Sequence, residues 1–361
     1  MQSKIATLLT PYSKGNLHLK NHLVMAPMTR SRAINNIPND LMAEYYGQRT
    51  GAGLIITEGT APTADALSYA RIPGIFSQEQ IEGWKKTTAA VHQEGTKIFL
   101  QIMHTGRIGH YHNLPEGAIL VGPSDIKAMG QIQTDNNGLQ DFSEPKALTI
   151  DGIEAVVQGF VKAADNAIAA NFDGIELHGA NGYLLEQFLN PNVNNRTDTY
   201  GGSIENRAKL TLEVAEKTVS AIGNDKVGIR LSPFSKTGDL QPYDESEVHN
   251  TYAFLATELN KMKVAYLHIV MNPLIPQATL DAIRSNFDGT IIKAGGFTPE
   301  TAEQALVNGS ADLVAFGKAF LANPDFDKRI ETGAALNPVD FKTLYATPDA
   351  IGYTDYPTLQ S

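Results

Sequence analysis

The sequence contains no cysteine and only one tryptophan, and none of its apolar runs approaches the ~18 residues a membrane-crossing helix needs. The first absence removes disulfides, thiolate nucleophiles and cysteine-ligated zinc or iron–sulfur centres in one step. Chemistry is left to His, carboxylates, Tyr, Lys or a bound cofactor. Positive charge is also scarce: Lys+Arg 29 against Asp+Glu 39 gives a net charge of −10 over 361 residues. A field of that sign attracts neither nucleic acid nor an anionic membrane, so neither is expected as a partner. Several motifs are missing as well. The Gly-Lys at Gly317 is followed by Ala, so there is no Walker loop, and GAG at Gly51 precedes a strand-like run instead of following one, which excludes a dinucleotide fingerprint. HExxH is absent, the first strand lacks a His-x-His pair, and no metal is expected. The opening residues lack the apolar core and cleavage site of an export signal, so the expected location is the cytoplasm. The glycosylation triplets at Asn195 and Asn308 would matter only in an exported chain.

What is present is a repeated alternation of short aliphatic runs with helical periodicity. The strands read as LVMAP from Leu23, LIITEG from Leu54, KIFLQIM from Lys97, GIELH from Gly174, VGIRLS from Val227, YLHIV from Tyr266, TIIKAGG from Thr290 and LVAFG from Leu313. Each is apolar almost throughout, as in a parallel sheet covered on both faces. Helix starts are marked by Ser77 with Gln80, Asp151 with Glu154, Asp244 with Glu247, and Thr298 before Pro299. Eight βα units imply an α/β fold, a (β/α)8 TIM barrel with its active site at the strand C-termini, and a single domain over 1–361. An open doubly wound sheet is the alternative. Residues 8–22 read as a hairpin turning at Lys14-Gly15 that plugs the barrel, and 107–150 as a long lid-like excursion after strand three.

The densest polar cluster follows strand four, where His178, Asn181 and Tyr183 fall within six residues. His and Asn can donate to an oxygen that becomes electron-rich, and Tyr can supply a proton. A second group sits at other strand ends: Thr29, Gly59, Thr60, Gln101, His104 and Arg230. Gln suits the edge of a flat heterocycle, and Arg places charge beside developing negative density. A third group, Gly295 and Gly296 after strand seven with Gly317 and Lys318 after strand eight, lies where barrels hold phosphate. Taken singly, each of these also fits a polar loop, a paired interior residue or a turn glycine.

These residues sit in strings that resemble the old yellow enzyme family of flavin-dependent ene-reductases, particularly bacterial alkene reductases of the N-ethylmaleimide reductase type. The strings are APMTR at Ala26, LQIMHTGR at Leu100, HGANGYLLEQFLNP at His178, NRTDTYGGSIENR at Asn195, AGGFTPE at Ala294, FGKAFLANPD at Phe316 and YTDYPTL at Tyr353. The resemblance implies tightly bound FMN, with Ala26, Pro27, Met28, Thr29, Thr60 and Gln101 around its ring system, Arg230 beside the pyrimidine side, and Gly295, Gly296, Gly317 and Lys318 at the phosphate. It further implies that His178 and Asn181 grip the activating group of an alkene, Tyr183 donates the proton, and Thr29, Tyr69, Met103 and Tyr356 line the substrate cleft. NADPH or NADH would reduce the flavin, and an enone, maleimide or nitroalkene would then be reduced in a second half-reaction. Two positions depart from the family pattern: Met103 stands where many relatives carry a bulky aromatic, and Lys318 where Arg is usual. Two other readings stay open, a cofactor-free Schiff-base aldolase using Lys293 and a flavin- or phosphate-binding protein without turnover.

Overall fold

The computed structural model describes residues 5–345 and 348–359. All eight runs form strands: β1 (Leu23–Met25), β2 (Leu54–Ile56), β3 (Lys97–Ile102), β4 (Gly174–Gly179), β5 (Val227–Leu231), β6 (Tyr266–Val270), β7 (Thr290–Ala294) and β8 (Leu313–Phe316). They pair in parallel as a closed barrel, with β8 returning to β1 at Ala315 opposite Val24. Closure overturns the open-sheet alternative. Alternate residues divide between two cores. Val24, Leu54, Ile56, Phe99, Tyr266, Ile292 and Leu313 pack inside the barrel, and Ile55, Ile98, Ile175, Ile229, Leu267 and Ile291 pack outward in the core shared with the helices. Burial on both faces is why the strands read as continuous apolar runs.

Beneath the barrel, Tyr12–Lys14 pairs antiparallel with Leu17–Leu19. The turn residues are Gly15 and Asn16 rather than Lys14-Gly15, because Gly15 takes φ 57, a conformation free of strain only without a Cβ. Tyr12, Leu17 and Leu19 join the barrel's inner core and plug it from below.

The helix starts at Ser77, Asp244 and Thr298 are capped by those side chains, with full capping boxes at Ser77 and Thr298. The pairing of Asp151 with Glu154 is not used. Thr149 caps the helix Ile150–Ala169 by accepting from Gly152 N–H, which leaves Asp151 in the first turn, where its charge suits the helix dipole. The 107–150 excursion carries an antiparallel hairpin, Gln131–Thr134 with Gly138–Asp141. Arg107 ties its root to the segment after β5 through Asp239 O at 2.7 Å.

Candidate active site

Three neighbouring strands bring His178, Arg230 and His268 into one register at the upper end of the barrel. All three share the inward parity of Glu176, whose carboxylate accepts from Gln101 Nε2 at 2.8 Å and pairs with His268 Nδ1 at 2.8 Å. Burial alone would raise the Glu176 carboxyl, but His268, Arg230 and Gln101 outweigh it and hold it below the usual carboxylate range. His178 shows the opposite balance. Burial, Arg230 and His268 all push its imidazole well below its ordinary value, so it is neutral at pH 7. His178 Nδ1 and Arg230 Nε are both buried without a hydrogen-bond partner. Such atoms are costly unless something else satisfies them, which marks this layer as a place for a polar ligand.

The loop after β4 begins with a left-handed turn. Asn181 takes φ 59 and Gly182 φ 78, and a side chain at 182 would run into the Thr237 carbonyl. That turn sets the Tyr183 ring edge-on to His178, with centroids 4.8 Å apart. The Tyr183 hydroxyl donates to the Tyr69 hydroxyl at 3.2 Å, and burial raises the Tyr183 phenol above its ordinary value against the opposing effect of that bond. Asn181 lies in the turn that leads to Tyr183, and His178, Tyr183 and Tyr69 are therefore joined in one chain of contacts. Tyr356 does not join it: its hydroxyl accepts from Asp340 N–H at 3.0 Å, and the tyrosine whose charge would be felt by both Tyr69 and Tyr183 is Tyr345. Among its described residues the last segment carries no strand, and its path is set by arginines. Arg32 donates to Thr343 O and Leu344 O, each at 2.8 Å, and Arg71 donates to Tyr345 O at 3.0 Å. Met103 is 1% exposed, in the apolar cluster against which Tyr69 and Tyr183 pack, so it shapes the cleft wall from behind.

Around the mouth, Ala26 is buried while Pro27, Met28 and Thr29 are partly exposed. Thr60 continues β2 upward, donating its N–H to Gln101 O and accepting from Met103 N–H, each at 2.9 Å. His104 serves the turn below the loop, its Nδ1 accepting from Gly106 N–H. Gly295 (φ 121) and Gly296 (φ 73) present exposed backbone, and a Cβ at Gly295 would lie 2.7 Å from Met271 O. Gly317 precedes the short helix Lys318–Ala322, and exposed Lys318 places its ammonium 5.0 Å from the Phe341 ring centroid. Lys293 does not reach the mouth. Its strand neighbours Ile292 and Ala294 face the barrel interior, so Lys293 points outward toward Asp281, which removes the Schiff-base reading. Among the described residues, no three His, Asp or Glu gather to hold a metal and no helix is long and apolar enough to cross a membrane.

Sequence reasoning missed His268 and, for Glu176, weighed only an ad hoc metal site with His104, His178 and Glu58, not its pairing with Gln101 and His268. Their signal was parity: each lies two residues from an inward position and shares a register with Arg230 or Gln101.

Comparison with known proteins gives one consistent result. Residues 7–337 match the family model described as NADH:flavin oxidoreductase / NADH oxidase family. The chain is 42% identical to 12-oxophytodienoate reductase 1 of Oryza sativa subsp. japonica, over 98% of this chain and 93% of that one. It is 40% identical to the flavin oxidoreductase hxnT of Emericella nidulans over 99% of both chains. The solved structure of morphinone reductase in complex with tetrahydroNAD superposes with a TM-score of 0.94 at 41% identity, covering 98% of each chain.

Proposed function

We propose, from the premise that this chain belongs to the NADH:flavin oxidoreductase / NADH oxidase family, the old yellow enzymes, that it reduces the C=C bond of enones, maleimides and nitroalkenes with FMN as its cofactor. The observation that carries this reading is the mouth layer, in which His178 Nδ1 and Arg230 Nε are buried and unpaired next to Tyr183. The residues present fit the cofactor. Gly295, Gly296 and Gly317 would hold its phosphate through backbone N–H groups, with Lys318 as the cation. Ala26, Pro27, Met28, Thr29, Thr60 and Gln101 would hold its ring system, and Arg230 would supply positive charge to it. Lys318 in place of Arg gives a point charge instead of a bidentate fork. Bound FMN would supply the hydride, received from NADPH or NADH and delivered to the alkene.

The chain's own residues do the rest. Neutral His178 and Asn181 donate to the substrate's carbonyl or nitro oxygen, drawing electron density away from the β-carbon. Tyr183, kept protonated by burial, gives its proton to the α-carbon. Tyr69 orients that hydroxyl, and Tyr345 rather than Tyr356 completes the aromatic wall. Within the family, the shared strings support the bacterial N-ethylmaleimide reductase type, and the location that goes with this reading is the cytoplasm.

Purified protein should absorb in the visible, release a flavin that runs as FMN on chromatography, and oxidise NADPH or NADH faster when 2-cyclohexenone is added. FAD, or no flavin after reconstitution, contradicts the cofactor. Flavin without enone-dependent oxidation leaves a binding protein.

A further inference from the structure

The short helix after the catalytic loop, Leu184–Leu189, carries a buried carboxyl that the chemistry above does not use. Glu186 Oε2 accepts from Gly182 N–H at 2.7 Å, and Oε1 accepts from the Ser232 hydroxyl at 2.6 Å and the Tyr252 hydroxyl at 2.9 Å. Ser232 Oγ in turn accepts from Asn181 N–H at 2.8 Å. The consecutive amides of Asn181 and Gly182 therefore end on one carboxyl, one directly and one through a single hydroxyl. These are the two residues whose φ is positive, and Asn181 has a Cβ that disfavours that conformation. Packing does not hold the carboxyl on its other side, where a cavity of about 190 Å³ is lined by Leu189, Phe234, Leu240 and Val248.

We propose that Glu186 is a positioning residue: with Ser232 and Tyr252 it fixes the left-handed turn at Asn181 and Gly182 and so aims the Asn181 side chain at the substrate oxygen. This rests on the reading of Asn181 as a substrate donor. Three donors converge on the carboxylate from two sides, and a glutamine offers one acceptor oxygen. Glu186→Gln must therefore turn an NH₂ group toward either the Gly182 N–H or the pair of hydroxyls. Ser232→Ala keeps the carboxyl and its bonds from Gly182 and Tyr252 and removes the hydroxyl that joins it to Asn181.

The test is phenol titration of the flavin-loaded enzyme, read from the change in the flavin's visible spectrum, in wild type, Glu186→Gln, Ser232→Ala, Asn181→Ala and the two doubles with Asn181→Ala. Each of the first two variants should weaken phenol about tenfold with flavin content unchanged, and neither should weaken it further once Asn181 is alanine. Wild-type phenol affinity in Ser232→Ala, or an undiminished effect of the substitutions in the Asn181→Ala background, overturns the proposal. If Glu186→Gln does not fold, Ser232→Ala alone decides. Wild-type affinity in Asn181→Ala itself overturns the reading of Asn181 as a donor, a different failure visible in the same series.

Discussion

At the lower end of the barrel the buried Tyr12 hydroxyl meets Thr290 Oγ1 at 2.8 Å and Lys14 Nζ reaches Gly289 O at 3.0 Å; at the upper end His178 Nδ1 and Arg230 Nε are buried with no partner. Both ends are built from the same eight strands, so the difference is not one of fold. The lower end is finished with a hairpin whose apolar side chains complete the inner core, and the polar groups named there are satisfied. The upper end keeps unmet hydrogen-bonding capacity and a histidine held neutral by its surroundings. Unpaired polar atoms are tolerated where a ligand is to be bound, and the rest of the barrel supplies the stability that permits them. If that division is right, substitutions at the two ends should separate chemistry from stability.

The largest effect is expected at Tyr183. Tyr183→Phe keeps the ring against His178 and removes the proton, so enone reduction should slow by ~10²–10⁴-fold while flavin reduction by NADPH survives. Stopped-flow measurement of the two half-reactions checks it, and an undiminished enone rate would show that another group or water carries the proton. Nitroalkenes should suffer less, because the nitronate they yield can be protonated later by solvent. His178→Ala follows, with a loss of roughly 2–4 kcal/mol of transition-state stabilisation in enone turnover and no loss of flavin. A variant that came off the column colourless would make His178 part of the cofactor site and blur the comparison.

A third contrast concerns pH and lies within the upper end. Glu58, just beyond β2, is pushed up to about 7 by burial, against the opposing pull of hydrogen bonds from the Arg30 and Ser31 backbone and the Arg30 and Arg32 charges. A carboxyl whose folded value lies above its unfolded one binds more protons in the folded state. Its contribution is complete below about 4.5 and is lost as pH rises through about 7. Glu186, also pushed up to about 7, acts in the same direction, whereas Glu176, held low, acts in the opposite one. Urea midpoints between pH 4.5 and 7.5 should therefore fall less steeply in Glu58→Gln than in wild type, by up to about 3 kcal/mol across the window. Parallel slopes would mean that this carboxyl is ionised throughout.

The two ends were not equally legible in the sequence. The eight strands could be read because each is buried on both faces, and the caps at Ser77, Asp244 and Thr298 because their chemistry is local. His178, Asn181 and Tyr183 could be read as a cluster because they fall within six residues at the end of β4. Glu176 and His268 were hidden inside apolar strands, where only the pairing of neighbouring registers exposes a polar layer. The proximity of Tyr345 to Tyr69 and Tyr183 was not legible because the final segment has no periodicity; arginines gripping its carbonyls set its course. Glu186 left no signal, since its partners Ser232 and Tyr252 come from β5's continuation and a later helix. Local chemistry was legible, and contacts between distant segments were not.

The smallest effect is expected at Tyr12, and it bears on the lower end alone. Tyr12→Phe keeps the ring in the inner core and removes one hydroxyl, leaving Thr290 Oγ1, on a residue 1% exposed, without the partner it had. The cost should be about 1–2 kcal/mol, the loss of a buried hydrogen bond with one partner left unsatisfied. Thr290→Val alone should cost a similar amount by stranding the Tyr12 hydroxyl. The double variant should be no worse than either single one, because removing both polar groups leaves nothing unpaired. Denaturant midpoints give the cycle, and flavin content and both half-reaction rates should match wild type in all three proteins. Additive losses would mean that the two hydroxyls do not depend on each other. A change in enone rate would mean that the plug reaches the chemistry through the barrel interior, and the separation between the two ends would then be one of degree.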